Sequence, residues 1–505
     1  MMYIFQLTIY RLLRRTHDAR SPCDECHQRF LQKIKGGYIA KSTTNKTTRR
    51  NFIKASALFS GALILPSCAT KRVKGANDRF SVALIGVGGI GTQAINNLKN
   101  APEVDFVAGC DVDDARSARN FQSLSSIERF KNISRYRDYR VMLDKMGDDI
   151  DGVIVSTPDH MHYPISAWCM ARGKHTFCQK PLARTVWECR EMSRLAKKYG
   201  VYTQMGNQGH TSDGWRLLKE WYDSGMLGKI EEIFIWTSRP ARYWKQGINV
   251  KYPKGDEKIP NTLDYNLWLG VAPYQPYSKA FVPHDWRGVR NFGCGAIGDM
   301  GCHFMDVPYS AFDLGFPCAV SAQTDPYNDY SWPYSSVLEY EFNSPKGKNE
   351  KIYLHWYDGY RKPTHIRGID DAFLKDKRNS DVTVIVCEKE TIITNEYGQR
   401  LMVYPHKRMV ELKKANAFPE QTIERSVSPM NAQLEFVKMC LAGKEPNGNF
   451  GYASKFTEMA LLGMVAMTQD GKKIEYDAST MSFKGNKDAD RYLASLYDYR
   501  KGFIE

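Results

Sequence analysis

The amino-acid sequence predicts an α/β fold built on a doubly wound parallel sheet. Short apolar runs typical of buried strands alternate with helical patterns between residues 80 and 204. The first of these strands leads directly into a glycine-rich turn that opens a helix. Because strands and helices that alternate in this way form a parallel sheet, ligands are expected at the carboxyl ends of its strands.

Composition excludes several classes of protein. The chain has 505 residues, 42% of them hydrophobic and 25% charged, and a prior of ~150 residues per domain predicts a globular protein of more than one domain. The net charge of +15 is concentrated in residues 1–68, which hold 12 Lys and Arg against 3 Asp and Glu. Because residues 69–505 contain no basic run, nucleic-acid binding is not expected.

The leader, residues 1–68, resembles a twin-arginine export signal. Arg49 and Arg50 precede an apolar run over residues 55–65, which is far shorter than the ~20 residues that a membrane helix needs. The four residues that end at Cys68 resemble a lipoprotein cleavage box, in which this cysteine is acylated and anchors the protein to a membrane. We therefore expect an exported protein, periplasmic or membrane-anchored. The alternative is an arginine pair at the start of an ordinary helix.

The 12 cysteines of the chain are irregularly spaced, which favours buried free thiols over a disulfide framework. Cys23, Cys26 and His27 match the C-x-x-C-H pattern of haem attachment. These residues precede the export signal that would remove them, so we expect no haem.

The glycine-rich turn predicts a dinucleotide site. A strand predicted over residues 80–85 is followed by the pattern G-x-G-x-x-G, whose glycines let backbone N–H groups approach a pyrophosphate. A second predicted strand, residues 104–110, ends at a carboxylate placed to bind ribose hydroxyls and to repel a 2′-phosphate. NAD is therefore favoured over NADP, and the alternative is a glycine turn that holds no nucleotide. The predicted cofactor-binding residues of this motif are Gly86, Gly88, Gly89, Ile90, Gly91 and Asp111.

Two further strand ends are expected at the same cleft. Strands are predicted over residues 150–156 and 175–179. Because parallel strands end at one edge of a sheet, the residues that follow both strands are expected to face the cofactor. These residues are Thr157, Pro158, His160, Gln179 and Lys180.

Four ordered motifs of the chain resemble the Gfo/Idh/MocA family of oxidoreductases, typified by glucose-fructose oxidoreductase and inositol dehydrogenase. The motifs are Gly86 to Gly91, Thr157-Pro158-Asp159-His160, Gln179-Lys180-Pro181 and the run from Gly298 to Asp306. The sequence departs from the family pattern at Gln179, where the family has a glutamate that approaches the nicotinamide ribose. An uncharged amide can still form hydrogen bonds there.

The resemblance implies two domains after the leader. A Rossmann domain is expected over residues 78–205, and an α+β domain with a large, mostly antiparallel sheet for substrate binding and oligomerisation over residues 206–485. Residues 486–505 are expected to form a tail, and the protein to form a homodimer or homotetramer. Patterns at residues 434–437 and 460–466 predict amphipathic helices that cover the sheet.

Oxidation of a secondary alcohol needs a base for the hydroxyl proton. The resemblance implies that Lys180 polarises the alcohol oxygen, and the alternative is a surface lysine before proline. Asp299 and His303 are spaced i, i+4, so on a helix they share one face. His303 is the candidate acid/base and Asp299 its orienter or a ligand of a substrate hydroxyl, whereas the alternative is a helix-start carboxylate beside a packed core histidine. No third ligand accompanies the pair, so we expect no metal.

Aromatic and polar side chains are interleaved between residues 206 and 360. Flat rings suit the apolar faces of sugars, although alternation within strand-like runs predicts that most of these rings belong to the core or to an interface. The candidate substrate-binding residues are Arg239, Trp244, Asp264 and His284.

The family resemblance implies a carbohydrate substrate, so the predicted function is NAD-dependent oxidation of a ring hydroxyl of a sugar or glycoside by hydride transfer, with a tightly bound cofactor. The first alternative is an NAD-dependent glycoside hydrolase that uses transient oxidation and elimination, as some members of the family do. The second alternative is a non-catalytic nucleotide-binding scaffold.

Overall fold

The computed structural model describes residues 79–347 and 350–503, and the leader with its arginine pair, haem-like motif and Cys68 lies outside them. The first domain is a parallel six-stranded sheet in the order β3-β2-β1-β4-β5-β6. Its strands are β1 (Phe80–Ile85), β2 (Val104–Cys110), β3 (Ser134–Tyr136), β4 (Gly152–Val155), β5 (His175–Cys178) and β6 (Thr203–Met205). The central strands β1 and β4 are almost wholly buried because helices cover both faces of the sheet.

The helices that connect these strands are α1 (Gly91–Leu98), α2 (Asp114–Ser125), α3 (Tyr139–Met146), α4 (His162–Ala171) and α5 (Val186–Tyr199). The chain runs outward from β1 to β3 and then from β4 to β6. Right-handed crossovers therefore place α1 and α2 on one face and α3, α4 and α5 on the other. Local sequence fixes the ends of α5, since Thr185 and Glu188 form a reciprocal capping box and Gly200 ends the helix with φ of 62°.

The second domain contains a nine-stranded sheet in the order β13-β12-β11-β7-β10-β9-β8-β14-β15. The pairing of β7 with β10 is parallel and the other neighbours are antiparallel. The strands are β7 (Ile230–Trp236), β8 (Ala319–Thr324), β9 (Ser336–Asn343), β10 (Lys351–Tyr357), β11 (Val382–Cys387), β12 (Thr391–Thr394), β13 (Leu401–Tyr404), β14 (Ile474–Asp477) and β15 (Ser482–Phe483).

The helices after β6 are α6 (Gly214–Asp223), α7 (Tyr265–Leu269), α8 (Cys302–Phe304), α9 (Asp306–Phe312), α10 (Asp371–Lys375), α11 (His406–Lys414), α12 (Ala432–Leu441), α13 (Phe450–Met467) and α14 (Lys487–Asp490). A π-helical turn, Ile297–Gly301, leads into α8. Within the two described stretches, no helix combines the length and apolarity that a membrane crossing requires.

Helix α12 covers the first sheet rather than the second. Helices α1 and α2 cover only part of one face of the first sheet. On that face β4, β5 and β6 have no crossover helix, and α12 packs there instead. Phe436 is fully buried there, with its ring centroid 5.9 Å from that of Phe80 and 5.8 Å from that of Phe177. The helix predicted at residues 434–437 exists, but its position was not predicted because its partners lie far away in the sequence.

Helix α13 is buried between the two domains. It packs against α5 on one side and against β8 and β9 on the other. A Cβ at Gly463 would lie 2.1 Å from the Tyr340 hydroxyl oxygen, so glycine permits the close approach of helix and sheet. The pattern at residues 460–466 predicted an amphipathic helix, whereas the helix is apolar on nearly every side because both sides are covered.

Residues 486–503, predicted to form a tail, pack against the first domain. The backbone N–H of Trp187 donates to the carbonyl oxygen of Leu493 at 2.9 Å, and the Tyr139 hydroxyl donates to that of Phe503 at 3.2 Å. This segment therefore belongs to the folded body of the protein.

The structure confirms the predicted fold class, a Rossmann domain followed by an α+β domain with a mostly antiparallel sheet. Strands β1 and β2 have the predicted bounds, and β4 and β5 differ from prediction by one or two residues at their ends. Strand β3 was missed because Ser-Arg-Tyr has no apolar run. The nine cysteines of the described chain are free, and all but Cys318 are buried.

Candidate active site

A cleft runs along the carboxyl ends of β1, β2, β4 and β5, where the sequence predicts a ligand. The first domain contributes the glycine turn, Asp111 and the residues that follow β4 and β5. The second domain contributes α7, residues 282–287 and Asp299. The cleft therefore lies between the two domains and receives side chains from both.

Backbone geometry explains the glycines of the turn. Gly86 and Gly89 have φ of 85° and 52°, which residues with a side chain rarely adopt. Together with Gly88 and Ile90 they line the cleft. A Cβ at Gly91 would lie 2.1 Å from the Gly86 carbonyl oxygen, so Gly91 lets α1 approach the turn and does not line the cleft. The structure thus gives Gly91 a packing role, and its contact with the cofactor stays a prediction.

Asp111 holds the turn as well as lining the cleft. One carboxylate oxygen accepts hydrogen bonds from the N–H groups of Val87 at 2.8 Å and Gly88 at 3.0 Å, and the other accepts from Asp113 at 3.0 Å. Burial raises the pKa of Asp111, although these three N–H groups oppose that shift. Because a carboxylate has about four acceptor positions, it can also accept a hydrogen bond from a ribose hydroxyl.

The loops after β4 and β5 offer polar groups to a ligand. Thr157, Pro158, Gln179 and Lys180 all line the cleft. The buried Oγ1 of Thr157 has no hydrogen-bond partner among the residues that the structure describes. An unpaired hydroxyl beside a turn with three cleft-lining glycines is suited to a bound ligand with polar groups, so these residues fit a dinucleotide.

His160, predicted to bind the cofactor, does not line the cleft. It is buried against Trp268 and Phe292, and its Nε2 donates to the Trp268 carbonyl oxygen at 3.1 Å. Burial lowers the pKa of His160 to about 3. The neutral ring joins the loop after β4 to α7, which is a packing role.

His162, two residues later, carries a charge. Its Nδ1 lies 2.7 Å from the carbonyl oxygen of Pro181, and its Nε2 lies 2.9 Å from that of Thr157. Because a carbonyl oxygen only accepts hydrogen bonds, both ring nitrogens donate and the ring is an imidazolium. Burial alone would lower the pKa of His162, but the Cys178 sulfur and the Pro181 carbonyl help to raise it to about 9. This cation ties the loop after β4 to the loop after β5.

An ion pair joins the two domains in the cleft. Lys180 Nζ lies 2.8 Å from Oδ1 of Asp299 and 2.8 Å from its backbone carbonyl oxygen. The two side chains are 14% and 12% exposed, and both line the cleft. Lys180 is therefore withdrawn from solvent and held in place, unlike a surface lysine before proline.

Two arginines of the second domain share the Asp299 carboxylate. Arg239 Nη1 lies 3.4 Å from Oδ2, and Arg287 Nε lies 3.4 Å from Oδ1. Burial would raise the pKa of Asp299, but the positive charges of Lys180 and Arg287 hold it well below its usual value. Arg239, a candidate substrate ligand, stacks on Tyr243, with its guanidinium carbon 3.4 Å from the centre of the ring. Arg239 does not line the cleft, and it contacts a cleft residue through its ion pair with Asp299.

His303 is buried beside this ion pair and does not line the cleft, and Asp299 does not orient it. Asp299 lies in the π-helical turn, whose wider spacing no longer stacks residues four apart. His303 Nδ1 instead lies 3.2 Å from Oδ1 of Asn207. Burial, followed by the charge of Lys180, lowers the pKa of His303 well below its usual value. The ring is neutral, and because Nδ1 donates to Asn207, Nε2 is the nitrogen that can accept a proton.

The other candidate substrate residues have different environments. His284 lines the cleft with its side chain 53% exposed. Asp264 caps α7 by accepting the Leu267 N–H at 3.0 Å, and the buried Trp244 donates its indole N–H to Gln246 at 2.7 Å. Neither of these two residues lines the cleft. The structure shows local structural roles for both, and their contact with a substrate stays a prediction.

Sequence reasoning missed three residues of the site. Arg287 was detectable as the basic residue three positions after His284. Asn207 follows β6 and contacts a histidine far along the chain, so spacing does not reveal it. Tyr397, whose ring centroid lies 5.0 Å from that of His303, comes from the turn between β12 and β13 and has no sequence signal.

Comparison with known proteins identifies related chains. A model described as the NAD-binding Rossmann fold of the Gfo/Idh/MocA oxidoreductase family matches residues 80–207, and a model of its C-terminal alpha/beta domain matches residues 214–331. An inositol 2-dehydrogenase/D-chiro-inositol 3-dehydrogenase of Lactiplantibacillus plantarum is 29% identical over 217 residues, 42% of this chain and 57% of the relative. A glycosyl hydrolase family 109 protein of Shewanella sp. (strain ANA-3) is 28% identical over 173 residues, 30% of this chain and 38% of the relative.

The chain thus matches about half, or less, of the length of these curated relatives. Among solved structures, a WlbA dehydrogenase of Bordetella pertussis in complex with NADH and UDP-GlcNAcA is similar with a TM-score of 0.53. The match covers 80% of this chain and 99% of that one at 16% identity. At this identity the likeness shows the shared fold.

The charge on His162 predicts a pH dependence of stability. The pKa is about 9 in the folded protein and about 6.5 in an unfolded chain, so its stabilisation is complete below pH ~6.5 and is lost as the pH rises through 9. The Tm difference between wild type and His162→Gln is expected to be largest near pH 6 and to shrink towards pH 10. Thermal unfolding across this range measures it.

His160→Gln is the matched control. The pKa of His160 is lowered to about 3 in the folded protein, so folding stabilises the neutral form of this ring. The wild-type advantage over this variant should shrink as the pH falls below ~6.5, which is the opposite slope. The same slope for both variants would contradict the imidazolium at residue 162.

Proposed function

The chain belongs to the Gfo/Idh/MocA oxidoreductase family, and on this premise we propose that it is an NAD-dependent oxidoreductase that oxidises a ring hydroxyl of a sugar or glycoside. The observation that carries the proposal is Lys180, which lies in the same cleft as the glycine turn and is paired with Asp299. A carboxyl and an imidazole with strongly shifted pKa values beside one cleft are more typical of catalysis than of a binding scaffold.

NAD is the cofactor of the Rossmann domain. The turn from Gly86 to Ile90 would hold its pyrophosphate and Asp111 a ribose, while the Thr157 hydroxyl and the Gln179 amide lie on the side of the cleft that carries Lys180. When bound, NAD accepts the hydride that leaves the carbinol carbon. The carboxylate of Asp111 disfavours the 2′-phosphate of NADP.

Lys180 is the group that would touch the reacting hydroxyl. Its ammonium can donate a hydrogen bond to the alcohol oxygen and stabilise the negative charge that develops there. The Asp299 carboxylate fixes the position of that ammonium. His303, which does not itself line the cleft, is the proposed final acceptor of the proton, at Nε2. A neutral histidine with a lowered pKa is a weak base, so the positive charge of Lys180 must first make the hydroxyl more acidic.

Replacing Lys180 by Ala is expected to lower kcat by ~10²-fold or more, because the developing charge on the alcohol oxygen loses its partner. His303→Ala should also lower kcat, with the larger effect at low pH where less alkoxide forms unaided. Steady-state kinetics on purified variants of unchanged Tm measure both effects. Lys254→Ala, at an exposed position outside the cleft, is the matched control. Normal turnover by Lys180→Ala would move the reaction to other residues.

A second candidate is an NAD-dependent glycoside hydrolase, in which the glycosidic bond breaks with no net redox change. The similarity to glycosyl hydrolase family 109 proteins favours it, although that similarity covers 38% of the relative. The likeness to an inositol dehydrogenase favours net oxidation of a ring hydroxyl instead. Both candidates begin with the same chemistry at Lys180, so products distinguish them.

We expect exhaustively dialysed enzyme to convert substrate without added NAD, because a retained cofactor supports at least one turnover. A panel of glycosides analysed by mass spectrometry should yield a keto-sugar, together with one equivalent of reduced nicotinamide per site. Free monosaccharide produced over many turnovers without reduced nicotinamide would establish the hydrolase instead. Conversion that requires soluble NAD throughout would contradict a retained cofactor.

Export through the twin-arginine route, to the periplasm or to a membrane anchor at Cys68, is a further proposal supported by the leader sequence. The double variant Arg49→Lys with Arg50→Lys is expected to leave precursor in the cytoplasm, because the receptor reads this pair. Cell fractionation and immunoblotting measure the distribution, and a single Lys46→Arg change is the control. Normal export of the double variant would contradict the leader interpretation.

A further inference from the structure

The end of the cleft that holds Lys180 has more positive than negative charge. One carboxylate, that of Asp299, pairs at 2.8, 3.4 and 3.4 Å with three cations, which are Lys180, Arg239 and Arg287. The four side chains are between 12% and 24% exposed, so water screens their charges only in part. A single carboxylate cannot balance three cations, and a surplus of positive charge remains at this end.

The neighbouring carboxyl groups do not remove this surplus. Asp159 also lines the cleft, and burial raises its pKa. Among the charges that oppose this shift, that of His162 is the largest, so the imidazolium at residue 162 is the main partner of Asp159. Asp285 accepts the Lys245 N–H at 3.3 Å and does not line the cleft. The surplus charge is therefore available to a ligand.

Arg287 has hydrogen-bond donors that no residue uses. Its Nε donates to Asp299 at 3.4 Å, and its Nη1 donates to the His284 carbonyl oxygen at 3.0 Å. A guanidinium has five N–H groups, and within the described parts of the chain the other three have no partner. Its carbon lies 4.5 Å from the centre of the Trp286 ring, which supports one face of the group. Because Arg287 lines the cleft, its unused N–H groups are within reach of a bound ligand.

Lys180 and Arg287 lie close enough together to contact one sugar ring. Lys180 Nζ and Arg287 Nε contact the same atom, Oδ1 of Asp299, at 2.8 and 3.4 Å. The two nitrogens are therefore no further apart than the sum of these distances. A hydroxyl and a carboxylate carried by one pyranose ring span a separation of this size. An anion on the reacting ring thus fits better than an anion on a distant substituent.

We propose that the substrate is a hexuronic acid, free or as a glycoside, whose carboxylate binds Arg287 while the hydroxyl to be oxidised binds Lys180. The inference rests on the proposed function, because it names the substrate class of the same site. A guanidinium can bind a carboxylate through two parallel N–H···O bonds, whereas the hydroxymethyl group of a neutral sugar has one oxygen and no charge. A carboxylate also supplies the negative charge that the cluster around Asp299 lacks.

Paired substrates test this assignment on the full-length protein. The pairs are the methyl glycosides of glucose, galactose and mannose and the corresponding methyl hexuronides. Isothermal titration in the presence of NAD measures binding, and mass spectrometry of the products measures kcat/KM. For at least one pair the wild type should bind the uronide about tenfold more tightly, because a charge-assisted contact replaces a neutral one.

Variants of Arg287 then test which residue carries the preference. Arg287→Gln should bring the two members of a pair to nearly equal affinity, and Arg287→Lys, which keeps the charge but not the planar fork, should retain part of the preference. Because Arg287 also contacts Asp299, kcat for both members is expected to fall together, so the ratio between them is the readout. Arg119→Gln, at an exposed position of α2 outside the cleft, is the matched control and should leave the ratio unchanged.

A wild type that binds no uronide more tightly than its neutral partner would overturn the assignment. An unchanged uronide preference in Arg287→Gln, with the Tm of the wild type, would also overturn it. Tight uronide binding that requires Arg287 but leads to no conversion would support the anion site and contradict the proposed function. The two failures are therefore distinguishable.

Discussion

The arrangement of the two domains depends on helix α13, which is buried between them. On one side Arg190 of α5 forms a paired contact with Glu458 at 2.7 and 2.6 Å. On the other side the Tyr340 hydroxyl of β9 donates to the Ala460 carbonyl oxygen at 2.9 Å. A helix held on both sides sets the distance between the two sheets. That distance determines the width of the cleft. It therefore also determines how far apart the two partners of the ion pair, Lys180 and Asp299, are placed.

The fixed distance between the domains holds an ion pair, Lys180 with Asp299, inside the cleft. An exposed ion pair stabilises a protein by about 0–1 kcal/mol, whereas a pair withdrawn from water must recover a large desolvation penalty through good geometry and further hydrogen bonds. Lys180 recovers it by bonding to both the carboxylate and the backbone carbonyl of Asp299, and Arg287 adds a second cation. Removing Asp299 would leave the positive charges of Lys180, Arg239 and Arg287 close together without their shared carboxylate. The ammonium is therefore oriented before any substrate arrives.

Sequence alone predicts the parts of this protein that are determined locally. Strands β1 and β2 and the turn between β1 and α1 follow from an apolar run, a glycine pattern and one carboxylate. Positions that depend on distant partners were not predictable: His160 and His162 occupy one short motif, yet one ring is neutral in the core and the other is a cation between two carbonyls. The spacing of Asp299 and His303 assumed an α-helix, and a π-helical turn changes which residues share a face.

Helix α12 has a consequence for how the chain acquires its fold. It covers the face of the first sheet that holds Phe80 and Phe177, yet it follows most of the second domain in the sequence. A chain made from its amino terminus therefore exposes this apolar face until synthesis has passed Leu441. Such non-local contacts form slowly, because a long loop must close first. The Rossmann domain thus buries this face only when α12 is in place, and a fragment that ended after β6 would carry an open apolar surface that favours association.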